Sequence, residues 1–150
     1  MRILHTLFVM FVGSFIIQYF LMSAITTNTV GYVRNSLGKA YLSIAMATCM
    51  VILEVVMHDH QYSVFSLKYY TIFGGLLGLS IYLYRKQKYV TDKQYLEEMT
   101  EHHSMALLTS KRILEKTNDY DVARLAKNIL QKQEDEIKDM TVVLSKISLH

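Results

Sequence analysis

Residues 91–147 read TDKQYLEEMTEHHSMALLTSKRILEKTNDYDVARLAKNILQKQEDEIKDMTVVLSKI. Thr91 and Gln94 have the spacing of a capping box and Asp92 falls in the first turn, so a helix is expected to open there and run to about Lys116. Thr117, Asn118 and Asp119 interrupt it, with Asp119 placed to cap a second helix reaching about Ile147. In the first helix the seam is read as Tyr95, Met99, His102, Ala106, Thr109 and Ile113. In the second it is read as Val122, Ala126, Ile129, Gln133, Glu136, Met140, Val143 and Ile147. Spacings of four and three are those of a helix packed on a helix. A break this short makes the two antiparallel, an α-helical hairpin symmetric about position 118.

Upstream the composition changes. All but four of the sixteen Lys and Arg residues and all but two of the thirteen acids lie after Tyr84, and the chain contains no proline. Ile3 to Ala24 is about a bilayer's thickness of apolar residues and reads as a first transmembrane helix. The same run can be read as a secretory signal peptide, since Arg2 precedes an apolar stretch ending in Leu-Met-Ser-Ala, although it is long for one. Thr26 to Lys39 reads as a connecting loop. A second span is expected over 40–57, uncharged apart from Glu54. A third is expected over 68–84, with Tyr69, Tyr70, Tyr82 and Tyr84 as interfacial aromatics. His58 to Ser66 reads as a tight polar turn between them. Gly74 and Gly78 form a small-xxx-small step that permits close approach of another helix, though glycine is also simply common in such spans. The expected fold is therefore all-α: a transmembrane region over 1–88 with three spans, followed by an antiparallel helical hairpin domain over 91–147.

Charge sets the orientation and removes one function class. Arg34, Lys39, Arg85, Lys86, Lys88 and Lys93 fall on one side of the three spans, and only Arg2 and Lys68 on the other. The positive-inside rule then puts the hairpin in the cytoplasm, with the chain integral to the cell (plasma) membrane. The net charge of +3 does not make a nucleic-acid surface, because bases and acids nearly balance in the charged half. Cys49 is the lone cysteine and forms no internal disulfide.

The symmetric register sets Met99 opposite Ile137 with Glu136 and Met140 beside it, and His102 opposite Gln133 and Glu134. Polar groups on a packing seam are costly unless each finds a partner, and a metal ion would satisfy several at once. Met99, His102, His103, Gln133, Glu136 and Met140 are thus a candidate metal site. His103 points about 100° away from His102, so both reach one ion only from the seam's edge. Imidazole with thioether favours copper, with zinc or iron as second choices. The plainer reading is a hydrogen-bonded layer that fixes register, with methionines as filler. Met46, Met50, Glu54, Met57 and His58 form a second stripe, a possible metal path, because an ionisable residue within a span marks a functional site by default. Alternatively, Glu54 lies near the interface and snorkels. His58, Asp59 and His60 read as a solvated turn.

The elements Met99-x-x-His102-His103-x-x-Ala106, Leu125-Ala126-x-x-Ile129 and Gln133-x-x-Glu136-Ile137-x-x-Met140 resemble domain-of-unknown-function family 305, over roughly residues 91–146. The resemblance implies a ferritin-like hairpin, half of a four-helix bundle, and an association with copper binding and copper resistance. One position departs from the family pattern: many members carry a methionine where Thr109 stands here. Asn35, Tyr41, Met46 and Met50 are similar to a preceding helix in membrane-attached members, a less specific match.

Three function classes follow. The first is a membrane-anchored metal-binding protein in copper handling or tolerance. The second is a structural or interaction protein without metal. Two helices alone bury too small a core, so a homodimer forming a four-helix bundle is expected in either case, with the lipid bilayer as the other partner. The third, an enzyme, is not expected. Counting on from Glu98, the histidine of a Glu-x-x-His pair falls where Glu101 stands, and neither a nucleophile triad nor a phosphate-binding glycine loop is present. No small-molecule substrate is indicated.

Overall fold

The computed structural model describes residues 3–147, and every regular element among them is helical. Helix α1 spans Ile3–Thr26, α2 Leu37–Tyr62, α3 Leu67–Arg85, α4 Asp92–Leu114 and α5 Tyr120–Ile147. A π-helical segment, Ile17–Leu21, interrupts α1, and a short 3-10 turn, Val30–Tyr32, follows it. Contacts divide the chain into two units. One comprises the described residues up to Met22 together with 37–89, and the other comprises 23–36 with those from Val90 onward.

In the first unit the core is small. Leu7, Val51 and Val55 are fully buried, with Ile3, Met10, Phe11, Tyr69, Tyr70 and Phe73 packed around them. Most other large apolar side chains face outward, among them Phe8, Phe20, Leu53, Ile72 and Leu79. Buried hydroxyls in these helices close on carbonyls one turn back, Thr48 onto Ile44 and Ser80 onto Leu76, which satisfies donors that water does not reach. Two helices, α1 and α2, are long and apolar enough to cross a membrane. The expected third span is a helix of suitable length, but Lys68, four tyrosines and three glycines keep α3 below that hydropathy. A Cβ at Gly74 or Gly78 would meet nothing within 4 Å, so no described helix uses that step for close approach. Arg2, counted for orientation, lies outside the described residues.

The polar turn expected from His58 is shorter than that. Helix α2 continues through Tyr62, and only residues 63–66 turn. Asp59 explains this. It is buried, its carboxylate accepts the backbone N–H of Ser66 at 2.6 Å and the Ser66 hydroxyl at 2.7 Å, and its carbonyl accepts from Val64. One residue therefore closes α2 through its carbonyl and fixes the start of α3 through its carboxylate. Ser63 takes the left-handed conformation there, φ 50°, the helix-ending position that glycine usually fills.

In the second unit α4 and α5 form the antiparallel hairpin. Both sides of the capping box are made, Gln94 N–H to Thr91 Oγ1 at 3.3 Å and Thr91 N–H to Gln94 Oε1 at 3.2 Å. Asp119 caps α5 by accepting from Val122 N–H at 2.9 Å. The seam differs from the expected one by a residue on each helix. Tyr95, His102, Thr109 and Ile113 are exposed, while Thr100, Ser104, Leu107 and Ser110 are buried. On α5 the inward row is Ala123, Ala126, Leu130, Gln133, Ile137, Met140 and Leu144, and Val122, Ile129, Val143 and Ile147 face out. Both phases share Ala126, Gln133 and Met140. The observed one wins because it buries Leu130, Ile137 and Leu144 together with Leu107, Leu96 and Leu114 of α4.

Segment 23–36 lies against α4. Asn28 N–H donates to Ser104 Oγ at 2.9 Å, Arg34 N–H to Glu101 Oε2 at 2.7 Å, and Ser36 Oγ to Glu98 Oε2 at 3.0 Å. Buried Glu101 and Ser104 thus satisfy the backbone of a segment with little regular structure of its own.

Candidate metal centre

Helix α4 presents His103 to α5. Its Nδ1 lies 2.8 Å from the carbonyl oxygen of Met99, one turn back, and its Nε2 lies 2.8 Å from Glu136 Oε2 across the hairpin. A carbonyl only accepts, so Nδ1 carries a hydrogen and donates it. Nε2 is thereby left facing a carboxylate oxygen across the hairpin. Donation of the second ring nitrogen to a carbonyl is also how metal-ligating histidines are oriented. The imidazole is 15% exposed and the carboxylate 40%, so the pair is reachable from one side.

This contact fixes a register symmetric about a point between Asp119 and Tyr120, displaced from the expected 118. Met99 and Met140 are each one turn from the pair, on the same side of it, and the register sets them level across the hairpin. Thr100 Oγ1 stands 3.9 Å from Met140 Sδ, which agrees with that placement. Gln133 falls one turn to the other side, half-buried and level with Ala106. His102 is exposed on the outer face, not opposite Gln133 and Glu134. Glu134 is instead 3.7 Å from Lys111, and Lys132 Nζ approaches Glu136 Oε1 at 4.0 Å.

Of the six candidate residues, then, the fold brings His103 and Glu136 into contact and sets two thioethers one turn away. Among the described residues no three of His, Cys, Asp and Glu gather closely enough to hold a metal ion. Any ion here would need sulfur or amide donors besides the nitrogen and oxygen, a set that suits soft ions. On the outer face of α5, Gln131 and then Lys138 hold the Asp135 carboxyl below the usual carboxylate range by hydrogen bonding.

The second stripe divides. Met46 and Met50 are exposed, whereas Glu54, Met57 and His58 line a cavity of about 350 Å³ in the first unit. Asp59, read in sequence as part of a solvated turn, is the buried clamp described above. Glu98 and Glu101, which in sequence stand out only as an incomplete Glu-x-x-His pair, instead hold segment 23–36 together with Ser104. The signal available was their spacing of three on α4, on the flank of the leucine row.

The family model described as a domain of unknown function (DUF305) matches residues 83–148. An uncharacterized protein of Acanthamoeba polyphaga mimivirus is 30% identical over 141 residues, covering 93% of this chain and 91% of that protein. No solved structure matches the chain. The family match covers the hairpin with its paired motifs, and the mimivirus likeness extends through the apolar helices as well. The chain belongs to the DUF305 family, as a member in which the family domain follows three largely apolar helices.

Proposed function

We propose that this protein is a membrane-anchored metal-binding protein, serving copper handling or tolerance, with its site between the two helices of the hairpin. The observation that carries the reading is His103: one ring nitrogen is fixed by the Met99 carbonyl and the other meets Glu136 from the facing helix. An ion would sit between Nε2 and Oε2. With bond lengths of about 2.0–2.2 Å, a nitrogen and an oxygen on one ion stand roughly 3.0–3.4 Å apart. The present 2.8 Å therefore opens by a few tenths of an ångström, which a half-exposed glutamate provides by rotation. Met99 and Met140 supply sulfur, and imidazole with thioethers ranks copper ahead of zinc or iron.

The anchor rests on α1, whose apolar side chains face outward on nearly all sides, and on α2, which buries one face and turns Leu42, Met46, Met50, Leu53 and Val56 outward, the pattern of helices solvated by lipid. We place the protein in the cell membrane with three spans and a cytoplasmic hairpin, following the basic residues at Arg34, Lys39 and 85–93. Outward-facing Val122, Leu125 and Ile129 form an apolar patch near the start of α5 that a second hairpin would cover, giving a ferritin-like four-helix bundle.

Cu(I) titration of the full-length protein in detergent, against a chromophoric chelator, tests the site. One tightly held ion per chain is expected, with affinity lowered about 100-fold or more by His103→Ala and unchanged by His102→Ala. Equal affinity in His103→Ala overturns this site. A metal-free register device is the second reading. Its support is that no buried side-chain nitrogen or oxygen among the described residues lacks a hydrogen-bond partner.

A further inference from the structure

The cavity in the first unit offers a second site that does not depend on the hairpin. Glu54 and His58 stand four residues apart on α2, hence on one face, and both line it together with Thr6, Met57, Gln61 and Tyr62. His58 is held in place twice. Its Nδ1 lies 3.2 Å from Asp59 Oδ1, and the Tyr62 ring packs against it at 4.8 Å between centroids. The carboxylate takes the Nδ1 hydrogen, so the lone pair of the neutral ring is on Nε2. Asp59 is itself fixed by Ser66, which makes the orientation rigid. Carboxylate-oriented imidazole is the arrangement by which histidine ligates metals.

Glu54 supplies the second half of the observation. It is half-buried on an apolar helix and makes no hydrogen bond or ion pair with any described residue. Its oxygens are not sealed from solvent but open to the cavity, so the carboxylate is available to a cation there. We infer that Glu54 and His58 bind a divalent transition-metal ion in this cavity, with the Gln61 amide oxygen or water completing its coordination. The imidazole disfavours magnesium and calcium. Zinc, cobalt and copper(II) suit mixed imidazole and carboxylate, and the mostly exposed Met57 thioether is not required.

The test uses full-length, tag-free protein in detergent, with Co²⁺ as probe and its visible absorption as readout. It is made in wild type and in a background carrying His103→Ala and Glu136→Gln, so that loss of the hairpin site and loss of this one are distinguished. One Co²⁺ per chain, displaced by Zn²⁺, is expected in that background. Glu54→Gln, close to isosteric, and His58→Ala should each weaken it roughly 100-fold with far-ultraviolet circular dichroism unchanged. Absence of a Co²⁺ band in the background protein at native helicity overturns the inference. So does a band indifferent to both substitutions.

Discussion

His102 and His103 are neighbours in the chain, yet about 100° apart around α4, and that rotation separates a solvent-facing ring from one closed against Glu136. The difference is measurable in stability as well as in metal binding. His102→Ala should change unfolding free energy by no more than about 0.5 kcal/mol, as surface substitutions do. Glu101→Ala, one residue earlier, should cost about 1–3 kcal/mol, because it strips the Arg34 N–H of a charged acceptor in a buried setting. Denaturant unfolding in detergent, followed by circular dichroism, compares the two. At Ser63 and Tyr89 the backbone sits at φ 50° and 61°, where a side chain costs about 1 kcal/mol or more. Tyr89→Gly should raise stability by about 0.5–1 kcal/mol in the same measurement, since the exposed ring forfeits little packing.

At the scale of elements, helix ends were legible in the residues and helix rotation was not. Thr91, Gln94 and Asp119 make the capping bonds that their spacing indicates, because a cap is decided by a few adjacent residues. Thr91→Ala and Asp119→Ala should each destabilise the protein by about 1 kcal/mol, read as a lower denaturant midpoint at constant m. Rotation depends on the partner surface. On α5 two rows of spacing three and four share Ala126, Gln133 and Met140, and only packing against the leucines of α4 selects between them. The Met99, Glu136 and Met140 grouping was therefore readable, while the choice of His103 over His102 required the register. The extension of α2 through Tyr62 was hidden for a related reason: Asp59 looks like turn chemistry, but it reaches forward to Ser66 from within the helix.

At the scale of the molecule, two apolar surfaces remain uncovered: the outward faces of α1 to α3 and the Val122, Leu125, Ile129 patch on α5. Lipid accounts for the first in our proposal, and a second hairpin for the other. Native mass spectrometry in mild detergent should give a dimer, and Ile129→Glu a monomer, because a carboxylate placed beside Val122 and Leu125 cannot be buried without a partner. Proton competition is a further consequence of ligation by an imidazole and a carboxylate, which bind metal only when deprotonated: copper affinity should fall steadily as pH is lowered. The claim beneath all of this is that the hairpin carries a metal ion in the cell. Metal analysis of protein extracted from membranes without added ions addresses it directly. Near-stoichiometric copper in wild type, lost in His103→Ala, is the expected result. Metal-free wild-type protein, or the same copper content in the variant, would contradict it.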